Sequence, residues 1–185
     1  PINSTSWKGE RPFTRMGAMA IIRQRLHEVR QKLDRRKRLP AEKAEEIVFS
    51  IVDEIFADIL SGAAKMRVHA HKEDDIAALL RLTTEFDLDV IVEHAGAVRD
   101  PEVFKELSRR NIPVNCGPLN SFAYKTELRQ KNWRNLRSLL DSGVGFGLMS
   151  DHPVSLQKLL LVQLHWFFRC GIEKRQAIGI ITASN

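Results

Sequence analysis

The chain has 185 residues, 43% hydrophobic and 28% charged, which suits a soluble globular domain with a sizeable core. No apolar run approaches the ~18–20 residues needed to span a bilayer. Cys116 and Cys170 alone give no disulfide framework, and the opening Pro1-Ile2-Asn3-Ser4 does not read as a secretory leader, so the expected setting is cytoplasmic. The net charge of +6 is uneven: residues 1–40 carry eleven Lys or Arg against three acidic residues, or +8, and the remainder carries −2. Without interleaved aromatics or a binding motif, this basic arm reads as a solvated helix face, and neither nucleic acid nor membrane is expected as a partner.

In chain order, residues 1–15 look irregular. Met19, Ile22, Leu26, Val29 and Leu33 recur at three and four, which predicts an amphipathic helix over 16–37, ended by Arg35-Arg36-Lys37-Arg38 at its negative pole. Pro40 opens a second helix with Val48, Ile51, Val52, Ile55, Phe56 and Ile59 on one stripe, closed by Ser61-Gly62. From Lys65 the period changes. Strand-like runs at 66–71, 89–94, 112–117 and 144–149 alternate with helical patterns at 75–86, 101–110, 132–142, 155–169 and 173–182, the signature of βα units on a parallel sheet. Gly143-Val144-Gly145-Phe146-Gly147 superficially resembles a phosphate loop, but it lies within a strand and is discounted.

The chemistry sits at the ends of these strands. His69-Ala70-His71 closes the first, Glu93-His94 the second, and Ser150-Asp151-His152-Pro153 follows the fourth. Spacing of two puts both imidazoles of the first pair on one strand face. In α/β folds, sites are built beyond the carboxyl ends of strands, and a metal is the simplest reason to gather such groups. His27 and His165 read as structural, and Cys116 reads as packing because no neighbouring base would activate it. Residues 119–131, with Tyr124 and Lys125, form a loop that could shape substrate selectivity.

Thr14-Arg15-Met16-Gly17-Ala18, Arg67-Val68-His69-Ala70-His71, Ile91-Val92-Glu93-His94-Ala95, Ile112-Pro113-Val114 with Gly117-Pro118-Leu119, Ser150-Asp151-His152-Pro153 and Ile181-Thr182-Ala183-Ser184-Asn185 occur in an order and spacing that resemble the metal-dependent amidohydrolase superfamily. The resemblance is to its imidazolonepropionase-like branch, related to Xaa-Pro dipeptidases and aryldialkylphosphatases. It implies a (β/α)₈ TIM-type barrel whose metal ligands come from strands 1, 5, 6 and 8. Only three strands follow His69-Ala70-His71, so the chain is expected to cover strands 5–8 as a half barrel. In that reading residues 1–185 form one partial barrel domain, with an irregular arm and two helices over 1–65 and βα units 5–8 over 66–185.

The resemblance further implies that His69, His94 and Asp151 bind a divalent metal, expected to be zinc, as one or two ions, with the site incomplete in this chain, so that the isolated piece is expected to bind zinc weakly or not at all and to be inactive. Asp151 and His94 would be catalytic, the first as general base and then acid, the second by polarising the substrate carbonyl where it does not hold a second ion. His71 and His152 would touch a ligand or the substrate, with direct ligation by His71 the alternative. The implied function is hydrolysis of amide, cyclic amide or related C–N bonds of a small molecule, with the missing N-terminal half or a second copy completing the barrel. The alternative is a non-catalytic half barrel or assembly module without a complete metal site.

Overall fold

The computed structural model describes residues 12–120 and 126–183. Tyr124 and Lys125, Lys8 and Arg11 of the basic arm, and Ser184-Asn185 of the last motif lie outside the described residues. The element order is α1 (Arg15–Arg38), α2 (Ala41–Ala44), α3 (Ile51–Ser61), β1 (Met66–Ala70), α4 (Glu73–Phe86), β2 (Val90–His94), α5 (Pro101–Arg109), β3 (Val114–Cys116), α6 (Asn135–Asp141), β4 (Phe146–Leu148), α7 (Leu160–Arg169) and α8 (Lys174–Ile180). The strands form a parallel sheet in the order β1-β2-β3-β4, with Glu93 opposite Asn115 and Asn115 opposite Gly147. Strands taken in sequence order, each after a helix, are what a run of βα units produces.

The chain divides into two compact units. The first comprises Arg67–Ala77 and Ile91–Asn185. Its core is built from Ile76, Val92, Phe104, Leu107, Val114, Leu139 and Phe167, all buried. A fully buried side chain of this kind contributes about 1.5–3 kcal/mol. Helix α5 begins where Asp100 accepts the Glu102 N–H at 2.9 Å with Pro101 in the first turn, and this fixes the direction in which Phe104 and Leu107 meet the sheet. Phe146 and Phe167 stack at 6.0 Å, tying α7 to β4.

The second unit comprises Ile2–Met66 and Ala78–Val90. Leu26 and Val29 of α1 are fully buried, as the spacing predicts, and so are Leu79, Leu82 and Phe86 on α4. The helix expected from Pro40 to Ser61 is broken in two, so the segment before β1 holds three helices rather than two. The cause is Ser50: its Oγ accepts the Asp53 N–H at 3.1 Å while the Asp53 carboxylate accepts the Ser50 N–H at 2.9 Å, a capping box that starts α3 afresh. The stripe expected to be buried is also only partly so. Ile59 is covered, whereas Val48, Ile51, Val52 and Ile55 are exposed. Several cations of the basic arm have intrachain partners: Arg25 and Lys32 pair with buried Asp53 at 2.8 and 2.9 Å, and Arg23 pairs with Glu85 at 2.7 Å. The Lys32 ammonium and then the Ser50 donors hold the Asp53 carboxyl far below the usual carboxylate range.

Each strand is shorter than its apolar run, since the run's ends lie beyond the ladder. His71 falls just past β1, and Asp151 falls three residues past β4. No helix among the described residues is long and apolar enough to cross a membrane.

Candidate metal centre

Two neighbouring parallel strands carry three side chains into one place. His69 lies on β1, His71 one residue beyond its end, and His94 on the last position of β2. Their rings stand 4.3 Å (His69–His94), 4.5 Å (His71–His94) and 4.9 Å (His69–His71) apart, centre to centre. One ligand atom from each lies within 4.8 Å of the other two. Three cations could not be packed this closely. Burial, followed by the neighbouring His94 and His69, pushes the His71 imidazole down to about 3, and burial lowers His94 as well, against the opposing pull of its bond to Gly117 and the charge of Asp151. Both rings are therefore neutral at pH 7, the form that offers a lone pair to a metal.

A hydrogen bond settles which nitrogen the His94 ring has to offer. His94 Nδ1 lies 2.7 Å from the Gly117 carbonyl oxygen, which can only accept, so Nδ1 carries the proton and Nε2 carries the lone pair. Gly117 is where side-chain absence matters: its φ is +130°, and a Cβ there would run into the Met149 carbonyl. His71 is 5% exposed, and its Nδ1 is buried without a hydrogen-bond partner. An orphaned imidazole nitrogen beside two more imidazoles is an arrangement a divalent metal would satisfy, and three nitrogens are the protein share of many open tetrahedral zinc sites. His69 Nε2 lies 3.4 Å from Oε1 of Glu127, a buried residue in the 3₁₀ turn Thr126–Leu128.

Backbone strain collects at the same place. His94, Ala95 and Asp151 have φ of 79°, 48° and 54°, in the left-handed region that non-glycine residues avoid. Asp151 lies close enough to His94 to act on its charge, yet it is not in the group of three whose ligand atoms cluster. His152 is exposed. Of the residues singled out from sequence, the structure thus gathers His69, His71 and His94, and leaves Asp151 beside them and His152 outside. Glu127 escaped the sequence reading because nothing local marks it, its partner being 58 positions away.

The surroundings are held firmly. In the layer below, Glu93 Oε1 accepts from Arg67 Nε at 2.7 Å and from Asn115 Nδ2 at 3.1 Å, a polar row across β1, β2 and β3. Glu73 Oε1 accepts the Arg99 and Asp100 N–H groups at 2.7 and 2.9 Å, and Gln163 Oε1 accepts the Leu119 N–H at 2.6 Å, so the loops after β2 and β3 are tied down. Beside His71 a crevice of about 20 Å³, room for roughly one water, is lined by Gly96, Cys116, Lys131 and Trp133 among others. Burial pushes the Cys116 thiol up to about 12, which makes it packing rather than a nucleophile, and brings the Lys131 ammonium down to about 8.

No family model matches the chain, and no curated protein matches it. Among solved structures, the crystal structure of an amidohydrolase from Thermotoga maritima superposes with a TM-score of 0.84 at 30% sequence identity over 95% of this chain. The chain spans 45% of the length of that enzyme. A parallel sheet with histidines gathered at its carboxyl edge, and this superposition, give the chain an amidohydrolase-like fold.

Proposed function

We propose that the chain is a segment of the catalytic domain of a metal-dependent hydrolase of the imidazolonepropionase-like branch. It would cleave an amide, cyclic amide or related C–N bond in a small molecule. In this reading β1 to β4 are strands 5 to 8 of a (β/α)₈ barrel, and the other four come from the rest of the enzyme or from a second copy. The observation that carries it is the histidine trio, with buried His71 Nδ1 lacking a partner.

His69, His71 and His94 would hold a divalent ion, zinc being the one their nitrogen donors suit best. When bound, such an ion supplies Lewis acidity, polarising a carbonyl and bringing the pKa of water toward ~7. The chain's own residues do the rest. Gly117 fixes the His94 ring through Nδ1. Asp151, strained and set against His94, is the carboxylate available to take a proton from the attacking water and return it to the leaving nitrogen. Placing His71 among the ligands takes up what the sequence expectation held as the alternative; its leading assignment set His71 beside a ligand or the substrate and gave the third position to Asp151.

A second reading has its own observation. Among the described residues the sheet has four strands and two open edges, and the chain matches under half of the Thermotoga maritima enzyme, so it could act only as an assembly module whose partner carries the chemistry. Zinc content separates the two. Elemental analysis of the purified 185-residue chain, dialysed against zinc and then buffer, is expected to give about one zinc per chain, falling below a tenth in His71→Ala. A metal-free wild-type chain would refute ligation by the trio alone and leave the assembly reading standing.

A further inference from the structure

We propose that Glu127 is a positioning residue for the histidine trio: it accepts the Nε2 proton of His69 and thereby turns the Nδ1 lone pair of that ring to the ion. The inference rests on the metal-centre reading above and adds a residue that neither the sequence motifs nor the resemblance assigns. It starts from burial. Glu127 is 6% exposed, and a carboxylate is rarely buried without a matched donor. Its Oε1 lies 3.4 Å from His69 Nε2, a long contact for a hydrogen bond but directed at the ring nitrogen.

The turn that carries Glu127 is anchored independently of the histidines. Leu128 is buried beside it, the Lys131 N–H donates to the Leu128 carbonyl at 2.8 Å, and the Lys131 ammonium donates to the Pro118 carbonyl. The carboxylate is therefore held against His69 by backbone, rather than drawn there by the ring alone. The chemistry matches what the neighbouring ring already displays. His94 gives its Nδ1 proton to a carbonyl and keeps Nε2 for ligation; His69 would give its Nε2 proton to a carboxylate and keep Nδ1. A carboxylate behind an imidazole fixes the tautomer, orients the ring and raises its basicity as a ligand. Direct ligation by Glu127 is disfavoured, because the trio gathers within 4.8 Å without it.

Two measurements on the full 185-residue chain test this. In metal-free, ¹⁵N-histidine-labelled protein at pH 8, long-range ¹H–¹⁵N correlation is expected to show His69 protonated at Nε2. In Glu127→Gln its ring signals should move more than those of His71 or His94. A wild-type His69 protonated at Nδ1 would overturn the proposal, and since this reading needs no variant, a Glu127→Gln that fails to fold does not block it. Zinc competition against a chromophoric chelator is then compared for wild type, Glu127→Gln, His69→Ala and the double variant. Glu127→Gln should weaken zinc by about 10–100-fold. The double variant should bind no more weakly than His69→Ala, because a residue acting through another adds nothing once that one is gone. Losses that multiply, or a Glu127→Gln that binds as wild type does, would refute the role. If the His69→Ala, His71→Ala and His94→Ala chains all bind zinc as wild type does, the metal-centre reading falls instead, while the tautomer still decides whether Glu127 and His69 are paired.

Discussion

Gly117→Ala attacks the point where fold and site depend on the same atom. Gly117 has a φ of +130°, and an added Cβ would collide with the Met149 carbonyl oxygen, so the backbone must move. Holding an alanine in that region of φ costs about 1–3 kcal/mol. The movement also drags the Gly117 carbonyl from His94 Nδ1, and breaking that buried 2.7 Å bond costs about another 1–3 kcal/mol. The expected destabilisation is therefore about 2–6 kcal/mol, a large share of a typical domain's stability. Gly171→Ala is the control: its φ of +85° carries the left-handed strain, but nothing lies within 4 Å of the added Cβ, so about 1–2 kcal/mol is expected. Urea unfolding followed by the fluorescence of Trp133 and Trp166 reads both, and zinc affinity should fall in Gly117→Ala alone. Equal unfolding midpoints for the two variants would refute the argument that Gly117 is fixed by close approach and by His94.

Three further outcomes are expected. Asp151→Asn in the complete enzyme should lower kcat by about 10²–10⁴-fold while the zinc content of the 185-residue chain stays unchanged; loss of zinc with it would make Asp151 a ligand and displace the account of His71. The metal-free chain should lose stability on acidification, because unfolded histidine takes up a proton near pH 6.5 whereas folded His71, at about 3, does not; between pH 7 and 5 this one group contributes about 2 kcal/mol, and a flat urea midpoint over that interval would contradict its burial as a neutral ring. Because β1 and β4 are sheet edges, the isolated chain should associate in light scattering, and a stable monomer at high concentration would argue against the half-barrel reading.

The helices and strands were legible because their patterns are strong. The three-and-four spacing in α1 and the apolar runs of β1 to β4 mark the elements the chain forms. The strand ends were not legible, since a ladder stops where the neighbouring strand stops, as at Val114–Cys116, and not where hydrophobicity does. The break before α3 had a visible signal in Ser50-Ile51-Val52-Asp53, but the longer apolar stripe around it masked the capping box. At the site, His69 and His94 could be placed together because both lie at the carboxyl ends of apolar runs that read as strands of a parallel sheet. Spacing of two marks His71 as facing the same way as His69, but its burial beyond the end of β1 is set by tertiary packing. Glu127 reaches His69 through a turn after β3, a long-range contact set by tertiary structure alone.

The central claim is that His69, His71 and His94 together hold one divalent ion. A crystal of the 185-residue chain grown with zinc, measured on both sides of the zinc absorption edge, tests it most directly. The account predicts one strong anomalous peak bonded to a nitrogen of each of the three rings, with His94 ligating through Nε2. A peak bonded to Asp151 and His152 away from His71, or no peak among the three rings at saturating zinc, would contradict it.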